Sequence, residues 1–225
     1  MEFRPEPQEI LRYFGYGNGK PDLQTEKLMN ECTETILKLV KPRYTYKIFD
    51  ILLDVENERI ILPECNITFE GRDIYEHLRE CRKCAVMAVT LGIEVDNAIR
   101  VAQVESMTKA MMLDACATEV VEKLCDEAEK EIAQIADKEG KKLNYRFSPG
   151  YGDFPITTQK IIGEILDVNR KIGLTITDKS LMIPRKSVTA VVGFTNVIRK
   201  KKNSCLACSM NGNCRYRREG TNCGL

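Results

Sequence analysis

Apolar positions recur along this chain at two different periods, and the alternation between them predicts most of its elements. From Asp22 to Val40, Leu28, Met29, Cys32, Ile36, Leu39 and Val40 follow the three-to-four spacing of an amphipathic helix, and Pro42 ends it. Tyr44 to Val55 is rich in aromatic and branched residues, and Arg59 to Leu62 is a second such run. Glu56-Asn57-Glu58 lies between them, so a hairpin is expected. Arg72 to Glu80 reads as a short helix. Cys84 to Leu91 is nearly continuous apolar sequence ending at Gly92, and periodicity alone leaves strand and buried helix both open. Val95 to about Lys138 is helical, with a break near Val104–Ser106 and a stripe of Leu113, Ala117, Val120, Leu124, Ala128, Ile132 and Ile135; Gly140 closes it. Leu143 to Phe147 is short and extended. Thr157 to about Lys171 is a helix with Ile161, Ile162, Ile165 and Leu166 inward and Thr157 or Thr158 as N-cap. Leu174–Ile176, Ser180–Ile183 and Val188–Phe194 read as strands. Strand and helix do not alternate regularly, so the expected class is α+β.

Composition narrows the function classes. The chain has 225 residues with 43% hydrophobic and 30% charged residues, enough for a sizeable core. Its net charge of +1 gives no general attraction to nucleic acid or an anionic membrane. No apolar run approaches the roughly 20 residues of a spanning helix, and Met1 to Pro7 has no apolar signal core. These features predict a cytoplasmic protein, where thiols stay reduced. Its ten cysteines therefore need an explanation other than disulfides, and its single His excludes mechanisms built on histidine pairs. Six cysteines are spread over the body and read as small hydrophobes, including Cys81 and Cys84 of a partial His77-x3-Cys81-x2-Cys84 pattern. The scattered methionines read as core filler.

One loop carries chemistry. In Arg146-Phe147-Ser148-Pro149-Gly150-Tyr151-Gly152-Asp153-Phe154-Pro155, Pro149 and Gly150 set up a type II turn. Two glycines let a ligand lie against bare backbone, Arg146 offers a planar fork to a carboxylate or phosphate, and Tyr151 can cover a flat ring. The alternative is a tight surface turn with an arginine at its root.

The run Tyr145 to Lys160, then Ile165-Leu-Asp-Val168, Gly173 to Thr177, Ser180 to Pro184 and Ser187-Val188, resembles the activation domain of cobalamin-dependent methionine synthase. Arg146, Gly150-Tyr151, Pro155, Thr158 and Lys160 match that family's pattern without gaps; Gly152, Phe154 and Gln159 depart from its Pro, Cys and Glu. The likeness extends over most of residues 1–200. It implies a twisted antiparallel sheet with packed helices that binds S-adenosylmethionine. Its chemistry is reductive methylation of cob(II)alamin, the inert oxidised form of a corrinoid. A flavodoxin-like one-electron donor supplies the electron, and the corrinoid methionine synthase or methyltransferase is expected to be a separate polypeptide. Whether such a chain counts as an enzyme is left open by this division of labour, which needs positioning rather than an acid–base dyad. By the resemblance, Arg146 meets the methionyl carboxylate, Ser148, Pro149 and Gly150 form the backbone cradle, Tyr151 lies near ligand and corrin, and Glu122 accepts from the ligand ammonium.

The C-terminus reads as a separate unit. Residues 1–198 form the activation-like domain, and 199–225 a basic linker with a Cys-rich tail. Cys205, Cys208, Cys214 and Cys223 could together hold zinc or an iron–sulfur cluster through four thiolates. Two other functions remain in view: a non-catalytic corrinoid-protein partner, and a redox protein working through the tail.

Overall fold

The computed structural model describes residues 5–16 and 20–196. Helix α1 (Pro7–Phe14) opens with a proline at its first turn, and Gly15 closes it in the left-handed region at φ 85°. The apolar periodicity places no element there. Helix α2 (Leu23–Leu39) falls where expected; the Asp22 carboxylate accepts from Thr25 N at 2.7 Å, and Met29, Cys32 and Ile36 are buried. Strand β1 (Arg43–Asp50) follows, then a small antiparallel sheet of β2 (Leu52–Asp54), β3 (Arg59–Leu62) and β4 (Ile67–Phe69). The expected hairpin is β2–β3; β4 has no counterpart in the sequence pattern.

Helix α3 (Arg72–Leu78) leads into β5 (Lys83–Thr90), which settles the ambiguous apolar run as a strand. Helices α4 (Ile93–Glu105) and α5 (Met107–Lys138) are separated at Ser106, whose φ of −159° is extended and whose hydroxyl accepts from Lys109 N at 3.3 Å. At 32 residues, α5 is about 48 Å long. Strand β6 (Lys142–Leu143) covers only the start of the predicted extended segment, and Phe147 rejoins the sheet as an isolated bridge to Val191. The predicted helix from Thr157 is two helices, α6 (Thr158–Leu166) and α7 (Val168–Ile172), broken at Asp167 with φ 52°. Thr157 stands at the N-cap position, one of the two expected, but its backbone is already helical and its side chain makes no capping bond. Strands β7 (Thr175–Ile176) and β8 (Met182–Ile183) make a short hairpin, and β9 (Ser187–Thr195) completes the main sheet.

That sheet is antiparallel throughout, in the order β1-β5-β9-β6. Its central strands are buried on both faces. Ala85, Met87 and Val89 of β5 join a core with α1, α2, α4 and α5, while Cys84, Val86 and Ala88 join a second core with α3, α6, α7 and the small sheet. Two covered faces explain why β5 reads as continuous apolar sequence rather than as an alternation. The architecture is α+β, as expected. Of the six described cysteines, Cys32, Cys81, Cys84, Cys116 and Cys125 are buried and Cys65 is partly so. Among the methionines, Met29, Met87 and Met112 are core residues, but Met107 and Met111 are 60% and 52% exposed, so core filler does not describe them. The 198/199 boundary and the tail cysteines Cys205, Cys208, Cys214 and Cys223 lie outside the described residues. Among the described residues no helix is long and apolar enough to cross a membrane.

Candidate functional site

Two segments distant in sequence build the site: the middle of α5 and the chain from Asn144 to Asp153. Asn144 fixes the second segment at its root. Its amide donates to His77 O at 3.0 Å and accepts from Gly193 N at 2.5 Å, both buried. Tyr145 and Phe147 then turn into the second core, where both pack on the His77 ring at centroid distances of 4.5 and 4.9 Å. His77 is thus an aromatic core residue. Cys81 and Cys84 are buried at 2% and 0% exposure, as the packing reading expected.

Arg146, between those two aromatics, points the other way, onto α5. Its Nη1 donates to Asp126 Oδ1 at 2.8 Å and Glu129 Oε2 at 2.9 Å, and its Nη2 donates to Glu122 Oε2 at 2.9 Å. The three carboxylates stand at i, i+4 and i+7 along α5, which is one helix face. The guanidinium side chain is 21% exposed. Burial opposes its charge, but the surrounding anions more than offset that, so it is held protonated even more firmly than a free arginine. Three anions around one cation leave the group acidic. Burial, with the neighbouring Asp126 and Glu122 charges, pushes the Glu129 carboxyl up despite Arg146, and Glu129 Oε1 has no hydrogen-bond partner. Cys125 sits beside the same guanidinium; burial nevertheless raises its thiol far above the ordinary value, so it is an inert wall.

Beyond Arg146 the chain makes the predicted turn. Tyr151 N donates to Ser148 O at 3.0 Å across Pro149 and Gly150, with Gly150 at φ 94°. Pro149 is buried, Ser148 half-buried and Gly150 exposed. The Tyr151 ring packs edge-on against Phe147 at 5.9 Å and is 41% exposed. Its phenol is raised by burial and then by the Glu122 charge, with Arg146 acting the other way. Glu122, Arg146 and Tyr151 therefore share one electrostatic neighbourhood, and Ser148, Pro149 and Gly150 join them through the backbone. All six body residues singled out by sequence come together.

The site also holds residues that sequence reasoning passed over. Asp126 and Glu129 are two, and the helical spacing from Glu122 was a signal that would have found them. Tyr13 of α1 is another: burial raises its phenol and the Glu122 charge raises it further, which brings α1 to the rim. A groove of about 520 Å³ opens next to Arg146, lined by Asp126, Glu129, Ala133, Leu143 and Tyr145.

The loop past Tyr151 is locked onto α3. The Asp153 carboxylate accepts from Arg72 N at 2.8 Å and Asp73 N at 2.9 Å, and the Asp73 carboxylate accepts from Asp153 N at 3.2 Å. A Cβ on Gly152 would lie 1.9 Å from Asp73 Oδ2, and Gly152 has φ 53°, which proline cannot adopt. Phe154, 1% exposed, plugs the second core and meets the Phe69 ring edge-on at 5.6 Å. Two departures from the family pattern thus have structural reasons here.

The fold thus sets an arginine and a glycine turn against a carboxylate-bearing long helix. The family described as vitamin B12-dependent methionine synthase, activation domain, matches residues 77–198, and the chain belongs to it. Among solved structures, a crystal structure of the MetH reactivation domain bound to AdoHcy is similar, with a TM-score of 0.61 and 15% identity; the match covers 98% of this chain and 79% of that one. At that identity the likeness speaks for the fold. No curated protein matches the chain by sequence.

Proposed function

We propose that this protein binds S-adenosylmethionine across Glu122, Arg146 and the Ser148–Tyr151 turn, and serves reductive methylation of a corrinoid carried by a separate methyltransferase polypeptide. The observation that carries the reading is the convergence of Arg146 with three α5 carboxylates beside an exposed glycine turn. The donor set fits the ligand. S-adenosylmethionine bears one carboxylate and two positive groups, an ammonium and a sulfonium. Arg146 supplies the fork for the first, and the Glu122 carboxylate suits the positive groups. The backbone around Gly150 allows close approach, and the half-exposed Tyr151 ring offers a flat face.

The corrinoid supplies the metal centre that takes up the methyl group once an external donor, flavodoxin-like in our reading, has delivered one electron. This chain orients the sulfonium methyl toward the partner and leaves the site open on that side. The AdoHcy-bound neighbour and the activation-domain family support this assignment. The partner's separateness is part of the proposal, as is a zinc or iron–sulfur role for the four tail cysteines Cys205, Cys208, Cys214 and Cys223.

The test is reductive methylation in a reconstituted mixture. A cobalamin-binding methyltransferase module is loaded with cob(II)alamin and given a one-electron reductant and S-adenosylmethionine. The methylcobalamin spectrum is expected only when this protein is added, and not with Arg146→Ala. An equal yield without this protein would count against the proposal.

A further inference from the structure

The five N–H donors of Arg146 are not equally engaged. Both hydrogens of Nη1 are taken, by Asp126 Oδ1 at 2.8 Å and Glu129 Oε2 at 2.9 Å. Nη2 gives one hydrogen to Glu122 Oε2 at 2.9 Å. No described residue takes the other Nη2 hydrogen or Nε–H; Nε and Nη2 share the edge of the guanidinium plane that can meet a carboxylate with two parallel bonds. Asp126 and Glu129 therefore hold the side of the group away from that edge. They come from a single rigid helix, one turn apart, so they fix both the plane and the rotation of the fork.

We infer that Asp126 and Glu129 are positioning residues for Arg146, aiming its Nε/Nη2 edge at the carboxylate of the bound amino-acid-bearing ligand. The inference rests on the ligand reading given under Proposed function and adds the division of labour within the site. Glu122 stays with Nη2 and the ligand's positive groups; Asp126 and Glu129 act only through Arg146. The opposite arrangement is also conceivable in chemical terms: the α5 carboxylates would compete with the ligand for the arginine. The two arrangements differ in sign. Positioning predicts weaker binding when Asp126 or Glu129 is removed, and competition predicts tighter binding.

The experiment titrates the intact protein with S-adenosylmethionine and with decarboxylated S-adenosylmethionine, which keeps the sulfonium and the amine but lacks the carboxylate. For Asp126→Ala and Glu129→Ala, affinity for S-adenosylmethionine is expected to fall about tenfold, while affinity for the decarboxylated ligand changes by less than about twofold. Asp126→Asn, which retains an acceptor oxygen for Nη1, is expected to recover most of the loss. In the Arg146→Ala background, Asp126→Ala is expected to add nothing, because its effect runs through the arginine. Unchanged or tighter binding of S-adenosylmethionine by the single variants would overturn positioning, and so would an equal loss for both ligands, which marks a general structural defect. Absence of binding by the wild-type protein is a different result: it would remove the ligand reading itself, and this inference with it.

Discussion

Arg146 carries a charge that the protein interior tolerates only because three carboxylates surround it, and burial acts on Glu129 in turn. The Glu129 carboxyl is pushed up from the ordinary 4.5 by burial and by its acidic neighbours. A folded-state value above the unfolded one means that the native protein binds the proton more tightly. Stability from this group is therefore present at low pH and is lost as pH rises through the raised value. Comparison of thermal unfolding for wild type and Glu129→Gln across that range should show the balance shifting toward the variant as pH increases. A pH-independent difference would contradict the burial account.

Gly152 and Phe154 belong to the same scale. Gly152→Ala puts a side chain into a left-handed backbone and against Asp73, which must rotate and give up its bond from Asp153 N. A loss of about 1–3 kcal/mol in urea unfolding is expected. Phe154→Ala empties a fully enclosed aromatic position and should cost about 3–5 kcal/mol by the same measurement, since the ring's neighbours relax only partly. Turn chemistry of this kind was legible in the chain: Pro149-Gly150 dictates its bend locally. That Arg146 would pair with α5 was not: Glu122 was singled out only by resemblance and for the ligand, and Asp126 and Glu129, though in helical register with it, meet Arg146 by tertiary packing from 20 and 17 residues upstream.

At the scale of elements, α5 organises the molecule. Its apolar stripe faces the sheet, with Leu113, Ala117, Val120, Leu124, Ala128 and Ile132 all buried, and the acidic face that includes Glu122 meets Arg146. The period of that stripe and the break before it were readable because both are local: Ser106 caps the new helix, and the apolar register changes there. The breaks that were missed lack such marks. The α6–α7 interruption rests on one aspartate in the left-handed region, with no glycine or proline to announce it. Helix α1 is amphipathic but only eight residues long, about two turns, too short for a period to stand out, although Pro7 and Gly15 marked its ends. Helix α1 nevertheless matters, because it is tied to α5 through Glu6, Glu119 and Lys123, and the Glu122 charge raises the Tyr13 phenol. Deleting residues 1–16 is expected to lower affinity for S-adenosylmethionine while the two-core sheet remains folded, as judged by circular dichroism. Unaltered affinity would place α1 outside the site.

The whole molecule is a sheet covered on both faces, and the site forms where one covering helix meets the strand edge beyond β6. Placement at the rim leaves Tyr151 and Gly150 open to a partner while Arg146 stays anchored between layers. The near-neutral net charge hides this local asymmetry, which emerges only when α5 and the Arg146 segment are brought together. The central claim is that this assembled site recognises S-adenosylmethionine through Arg146. Isothermal titration of the wild-type protein with S-adenosylmethionine, beside Arg146→Ala, tests it most directly. The account predicts saturable binding by the wild type and a loss of at least about tenfold in the variant. Equal binding by both proteins, or no heat from the wild type, would contradict it.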